Sequence, residues 1–308
     1  MNYPLVSVVI NTHNRCQLVI RAINSALNQT YPNIEIIVID ANSNDNTREV
    51  VNSIEDKRII YFFSPNSDFS YCVNTGFKIA KGKYVALLDD DDEWLPNKLE
   101  KQIELFEKLD SSYGWVGCGE EYWDDRENIS LGNYIPYSRG DVFLKILSGM
   151  GGGTAGSSLI VVRKEVIDNL GGFIEEVKFS TDLLFYLKLS TQYKFDYVEE
   201  VLCLTHCNHI YQNERASLMK MNRKFISDKI EVEEYVLKQY KEAFDQYPKY
   251  RYIYYRNLAR MNSYLRNYRQ GYKYLICTLR SDPSKIKQNI RLILAVFYYC
   301  FFKLAVRD

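Results

Sequence analysis

Three short, mostly apolar runs set the frame for this chain: VSVVI, IEIIVI and YVALL. The first strand they imply ends at Thr12, the second at Asp40 and the third at Asp89. Runs of this length bounded by polar residues read as buried strands. The segments between them carry helical spacing: Leu18, Val19, Ala22, Ile23, Ala26 and Leu27 share one wide face, and SYCVNTGFKIAKG reads as a helix closed by Gly82. A further strand, RIIYFF, lies at residues 58–63. Such strand–helix alternation implies an α/β fold, a Rossmann-like, mostly parallel, doubly wound sheet with right-handed crossovers. Open sheets of that kind hold ligands outside the carboxyl ends of their strands. Thr12, Asp40 and Asp89 are therefore expected at one edge, as parts of a nucleotide site.

The third run leads into four consecutive aspartates, Asp89 to Asp92. Adjacent carboxylates repel one another, so a cluster like this favours ionisation only where a cation or hydrogen-bond donors offset the charge. Pro96 suits the first turn of a helix over LPNKLEKQIELF, which puts the aspartates in a strand-to-helix connection. Strand alternation carried past Leu88 predicts that Asp89 and Asp91 point one way and Asp90 the other. Two carboxylates on one side make a hard-oxygen site for magnesium or manganese with room left for phosphate oxygens.

Lysine plus arginine (39) balances aspartate plus glutamate (39), so no global field draws nucleic acid to this chain. A phosphate ligand must be held by a local site. The seven cysteines are odd in number and scattered, which points to free thiols in a reducing cytoplasm. MNYPLVSVVI runs directly into a strand and carries no secretory leader pattern.

After residue 113 come a strand in YGWVGCGEEYW, a glycine-rich connection MGGGTAGSS, an apolar strand SLIVV and a helical TDLLFYLKLS. From about Leu218 onward the pattern is helical and rich in tyrosine, giving a division into residues 1–215 and a helical C-terminal extension, 216–308. The uninterrupted apolar run from Leu292 to Phe302 is shorter than the roughly 20 residues a bilayer requires. Flanking Lys285, Lys287, Arg291, Lys303 and Arg307 leave two readings open: a buried helix, or one lying in the membrane plane at the cytoplasmic face.

The succession VSVVINTHNR, IEIIVIDANSNDNT, NTGFKIAKGKYVALLDDDDEWLPNKLEKQ, SSLIVVRKEVIDNLGGFIEE and STDLLFYLKL resembles the family 2 glycosyltransferases of the GT-A fold, over roughly residues 5–210. The resemblance implies transfer of a sugar from a nucleotide donor (a UDP, GDP or dTDP sugar) to a glycan or lipid-linked acceptor hydroxyl, with inversion and a divalent cation, Mn2+ or Mg2+. On that resemblance Asp91 is the principal metal ligand with Asp89 beside it, and Asp90 contacts the donor's sugars. Thr12, Asn14, Arg15, Asp40, Asn42 and Asn74 fall at nucleotide-binding positions, with His13, Ala41 and Val73 standing where the family often has tyrosine, a second acid and arginine. Gly153 and Thr154 match the acceptor-side loop. Asp182 matches the catalytic base, with Thr181 where a glutamate is common; by sequence alone an STD triplet reads equally as a helix cap. His209 is the histidine that approaches the metal or diphosphate, and Arg215 lies within reach of a phosphate.

Other chemistries fit less well. An aspartate-nucleophile phosphatase needs a small hydroxyl residue after its Asp-x-Asp, and Glu93 and Trp94 follow here. A nucleotidylyltransferase needs a glycine-rich basic loop after the first strand, and NTHNRC has no glycine. Cys203, His206, Cys207 and His209 have the residue types of a zinc site without its paired spacing. A non-catalytic nucleotide-sugar-binding or membrane-assembly protein would lack the metal pair or the base, and both are present.

Overall fold

The structure, a computed structural model, describes residues 3–149, 154–207 and 223–283. Strands β1 (Val6–Thr12), β2 (Ile34–Ala41), β3 (Ile59–Ser64) and β4 (Tyr84–Asp89) pair in parallel in the order β3, β2, β1, β4. All eight residues of β2 are buried, as expected of a strand covered on both faces by crossover helices. Helices α1 (Cys16–Leu27), α2 (Thr47–Asn52) and α3 (Phe69–Ile79) supply those crossovers. α1 turns Val19, Ala22, Ile23 and Ala26 inward, and α3 begins where the Asp68 carboxylate accepts from the Tyr71 amide.

Beyond β4 the sheet changes character. β5 (Asp92–Trp94), helix α4 (Lys98–Phe106), β6 (Tyr113–Asp124), β7 (Ile129–Tyr134), helix α5 (Phe143–Leu147), β8 (Val161–Arg163), helices α6 (Lys164–Leu170) and α7 (Thr181–Ser190), and β9 (Lys194–His206) follow. The sheet continues from β4 through β8, β6 and β9 to β5, with β7 alongside β6. β8 runs antiparallel to both β4 and β6, β5 antiparallel to β9, and β6 parallel to β9. The parallel arrangement read from the alternation thus holds for the first four strands, and antiparallel pairs make the whole sheet mixed.

Two local expectations change. The strand expected over SLIVV begins only at Val161, because Ser157–Leu159 form a single tight 3-10 turn beside the end of β4. Gly82 does not close α3, which stops at Ile79. A Cβ there would lie 2.7 Å from the Leu5 carbonyl oxygen and the Ser7 amide nitrogen, so the glycine lets backbone approach backbone. Its amide donates to Ser7 Oγ (2.8 Å), which itself donates to Glu35 Oε1 (2.6 Å).

Chain contacts divide the molecule into two compact units, Met1–Ile146 with Met150–Gln212, and Leu147–Gly149 with Asn213–Asp308. The second contains helices α8 (Arg223–Gln239), α9 (Lys241–Gln246), α10 (Pro248–Tyr264) and α11 (Tyr268–Ser281). Pro248 occupies the first turn of α10, where its missing N–H costs nothing. Ala259 and Leu275 make a small core there, and Tyr252 and Tyr254 are buried while Tyr264 and Tyr272 are exposed. The apolar run from Leu292 to Phe302 lies outside the described residues. No described helix is long and apolar enough to cross a membrane.

Candidate active site

The parallel register brings the expected strand ends side by side: Thr12 is level with Asp40, and Asn11 with Asp89. Above them lies a cleft of about 620 Å³. The aspartates Asp89, Asp90, Asp91 and Asp92, together with Asp182, line it, along with Arg15 and Lys178.

The acidic turn is organised differently from simple alternation. β4 stops at Asp89 and β5 starts at Asp92, so Asp90 and Asp91 form the turn between them. Both face one cation: Arg15 Nη1 donates to Asp90 Oδ1 (2.7 Å) and to Asp91 Oδ2 (2.9 Å). The predicted opposition of Asp90 to its neighbours gives way because the strand, and its period of two, ends first. Asp89 Oδ2 accepts from Ser157 Oγ (2.6 Å), and its amide donates to Ser158 Oγ (2.9 Å). Burial, with the charges of Asp92 and Asp182, pushes the Asp89 carboxyl well above the usual carboxylate range. Burial also pushes Asp92 up to about 7, against the hydroxyl of Ser158 and helped by Asp91 and Glu120. Burial raises Asp90 too, and Arg15 opposes the rise.

Asp182 sits in the first turn of α7 but does not cap it. The cap position belongs to Ser180, held at φ +50°, and no side chain closes that helix end. Asp182 Oδ1 is buried with no hydrogen-bond partner, and burial alone raises the carboxyl to about 6. Asp182 lines the cleft in that state.

Several residues expected to meet the nucleotide do other work. Asp40 is buried, with Oδ2 accepting from Tyr61 OH of β3 (2.6 Å) and Oδ1 from the Ser43 amide in the loop after β2 (2.8 Å). Thr12 is buried at the end of β1 and does not reach the cleft wall. Asn14, at φ +53°, clasps the neighbouring loop: its amide donates to Ser43 Oγ (2.8 Å) and its Oδ1 accepts from the Asn44 amide (2.7 Å). Asn42, at φ +62°, is an exposed turn residue off the cleft. Asn74 turns away from the cleft altogether. Its Oδ1 accepts from the Phe173 amide (2.7 Å), and its Nδ2 donates to the Phe173 carbonyl (2.9 Å) and Glu175 Oε1 (2.8 Å). It therefore fastens α3 to the segment that leads into Asp182. Thr154 accepts from Tyr134 OH through its carbonyl (2.9 Å) and lines a second, smaller cavity. Gly153, His209 and Arg215 lie outside the described residues.

The cleft also contains residues the motifs did not single out for it. Asn11, His13, Ser157, Lys178 and Thr205 line it, as does His206. His13 Nδ1 lies 2.6 Å from the Ala41 carbonyl oxygen. His206 Nδ1 lies 2.5 Å from Asp125 Oδ1, and Arg21 links Asp125 Oδ2 (3.0 Å) to the Asp91 carbonyl (2.6 Å). Strand pairing predicts part of this, since Asp92 is level with Thr205 across β5 and β9. Cys203 is fully buried on β9 and pairs with Trp94, and among the described residues no three histidine, cysteine or acidic side chains form a metal cage.

The sequence signature described as glycosyl transferase family 2 matches residues 7–170. The chain belongs to that family. Among family 2 relatives, an uncharacterized glycosyltransferase of Rickettsia prowazekii is 34% identical over 65% of this chain and 63% of its own. A UDP-Glc:alpha-D-GlcNAc-diphosphoundecaprenol beta-1,3-glucosyltransferase of Escherichia coli is 41% identical over 33% of this chain and 41% of its own. The chain thus spans less than two thirds of either relative. Residues 1–349 of Staphylococcus aureus TarS, crystallised with UDP, superpose with a TM-score of 0.58 at 14% identity, over 90% of this chain and 88% of that one. A mannosyltransferase of Pyrobaculum calidifontis, crystallised with GDP-Man and Mn2+, gives 0.55 at 18% identity, over 98% and 89%. The fold is the GT-A type: a mixed α/β sheet with a helical C-terminal region.

Proposed function

We propose that this chain is an inverting glycosyltransferase that moves a sugar from a nucleoside-diphosphate sugar to an acceptor hydroxyl, with Asp182 as the base. The observation that carries the reading is the meeting, in one cleft, of the acidic turn with a buried carboxylate that lacks a hydrogen-bond partner. In a single displacement the acceptor oxygen bonds to the anomeric carbon as the bond to the diphosphate breaks. The acceptor's proton passes to Asp182. A carboxyl held near 6 is mostly ionised at neutral pH, yet basic enough to accept that proton in the transition state.

The acidic turn suits a divalent cation. Asp89 and Asp91 offer hard oxygens, and the burial and mutual repulsion that hold protons on Asp89 and Asp92 are relieved by a positive charge. Mg2+ or Mn2+ bound there supplies Lewis-acid stabilisation of the leaving diphosphate. Arg15 keeps Asp90 and Asp91 on the cleft side, and Lys178, paired with Asp68, adds a positive charge to the lining. Like the diphosphoundecaprenol-dependent relative, the protein is proposed to act on a lipid-linked glycan in polysaccharide synthesis, with peripheral membrane association.

The test is direct. Thermal shift with UDP, GDP and dTDP sugars in the presence of manganese identifies the donor, since a ligand selective for the folded state raises its apparent stability. Asp91→Ala should abolish manganese-dependent donor hydrolysis. Asp182→Asn should bind donor and fail to transfer; transfer at the wild-type rate overturns the base assignment.

A further inference from the structure

A second cavity, of about 300 Å³, opens beside the cleft. Its floor follows from strand parity. Glu120 and Tyr122 are two apart on β6 and share a face, and Tyr134 on β7 stands directly across from Glu120. Leu183 and Tyr186 of α7 form the opposite side, and Thr154 and Gly156 the rim. The two cavities share a wall. Thr205, which lines the cleft, donates through Oγ1 to Glu120 Oε2 (2.6 Å), and Glu120 lines the smaller cavity. Tyr186 lies one helical turn after Asp182 and so occupies the same face of α7.

The lining has a chemical character of its own. Tyr122 and Tyr134 present rings, with Tyr122 OH donating to Glu120 Oε1 (2.9 Å). Tyr186 is 7% exposed, and its hydroxyl is buried without a hydrogen-bond partner. A buried hydroxyl left unpaired is costly, and one that lines a cavity beside the proposed base is available to a ligand oxygen. Among the described lining residues Glu120 is the ionisable side chain apart from the tyrosines, and none is lysine or arginine. Space at the lower end of small-molecule pockets, aromatic faces and a few polar atoms suit one sugar ring.

We propose that this cavity is the subsite for the terminal sugar of the acceptor, and that it selects a neutral pyranose over an acidic one. The proposal rests on the glycosyl-transfer reading above. The ring lies against Tyr134 and Tyr122, a ring hydroxyl meets Tyr186 and Glu120, and a neighbouring hydroxyl reaches across the shared wall toward Asp182. A uronic acid would set its carboxylate against Glu120, and toward Asp182, with no lysine or arginine among the described lining residues to offset it, and like charges in a confined site are strongly disfavoured.

Saturation-transfer NMR on the full chain, with UDP or GDP present, tests this with methyl β-glucoside, methyl β-N-acetylglucosaminide and methyl β-glucuronide as probes. At least one neutral glycoside should bind, roughly tenfold or more tighter than the glucuronide. Tyr134→Ala should weaken neutral binding about tenfold, while Tyr134→Phe, which keeps the ring and loses the bond to Thr154, retains it. Glu120→Gln should narrow the gap between neutral and acidic probes. Phe62→Ala, at an exposed position on the edge strand β3, should leave binding as it was. Absence of neutral binding, equal or tighter binding of the glucuronide, or wild-type binding by both Tyr134→Ala and Tyr122→Ala overturns the proposal. A thermal shift with nucleotide in the same samples reads the donor site separately: its presence with no glycoside bound sinks the subsite alone, and its absence sinks the glycosyl-transfer reading.

Discussion

Replacing Asp182 by asparagine should stabilise the protein at neutral pH while stopping transfer. Burial lifts this carboxyl from the ordinary 3.8 to about 6, and its Oδ1 has no hydrogen-bond partner to offset the charge. The folded state thus holds the proton more tightly than the unfolded chain. Stability linked to Asp182 is therefore fully present below about pH 4 and is lost as the pH rises through about 6. At about 1.4 kcal/mol per pH unit of displacement, the loss is roughly 3 kcal/mol. Asparagine does not titrate, so the gap in stability between Asp182→Asn and wild type should widen by that amount from pH 4 to pH 8. Any fixed cost of burying the amide cancels in the difference. For a unit of this size, about 2–4 °C per kcal/mol gives a widening of roughly 6–12 °C in melting temperature. Differential scanning fluorimetry with chelator at the two pH values measures it. Relief of the repulsion felt at Asp89 acts in the same direction, so the figure is a lower bound. A gap that stays constant with pH refutes the uncompensated burial on which the base assignment depends. In the wild type, transfer should rise about tenfold between pH 5 and pH 7 as the carboxylate forms.

Asn74→Ala removes three hydrogen bonds to the segment before α7, so the turnover of transfer should fall about tenfold while affinity for UDP or GDP by calorimetry stays within about twofold. A collapse of nucleotide affinity instead would return Asn74 to the nucleotide-binding role its motif position implies. Gly82→Ala forces a Cβ against the Leu5 carbonyl and the Ser7 amide, backbone atoms that cannot rotate away, and should lower stability by about 1–3 kcal/mol in urea unfolding. A wild-type midpoint would show that the β1 edge yields more easily than its hydrogen bonds suggest.

The parallel half of the fold was legible because each of its strands is a continuous apolar run with a helix after it, and a βαβ unit closes in one way. The antiparallel half was not. β8 is three residues long, and Ser157–Leu159 carry strand-like residues in a turn, since the hydroxyls of Ser157 and Ser158 are engaged by the end of β4. That the acidic turn and Asp182 would line one cleft could be read from composition and order. The partners of Arg15 could not, because a period of two says nothing once a strand ends. The partners of Asp40 and Asn74 were not legible either, since Tyr61 and Phe173 are far away in sequence. His206 was visible only as part of a cluster, and its link to Asp125 joins residues 81 apart.

The order of the sheet also fixes how long the acidic turn can be. From β4 to β5 there are four lateral steps, through β8, β6 and β9. Laid flat, four spacings of about 4.8 Å come to roughly 19 Å. The chain from Asp89 to Asp92 has three Cα-to-Cα links, which stretch to about 11 Å at most. The sheet must therefore roll until its outer margin comes back toward its middle strand, and the four aspartates span the gap like the clasp of a bracelet. Adding or deleting one residue in the clasp would change its reach and exchange the two faces of β5, swinging Trp94 away from the Ser158 carbonyl it now meets at 2.7 Å. The length of this acidic run is thus set by curvature as well as by charge.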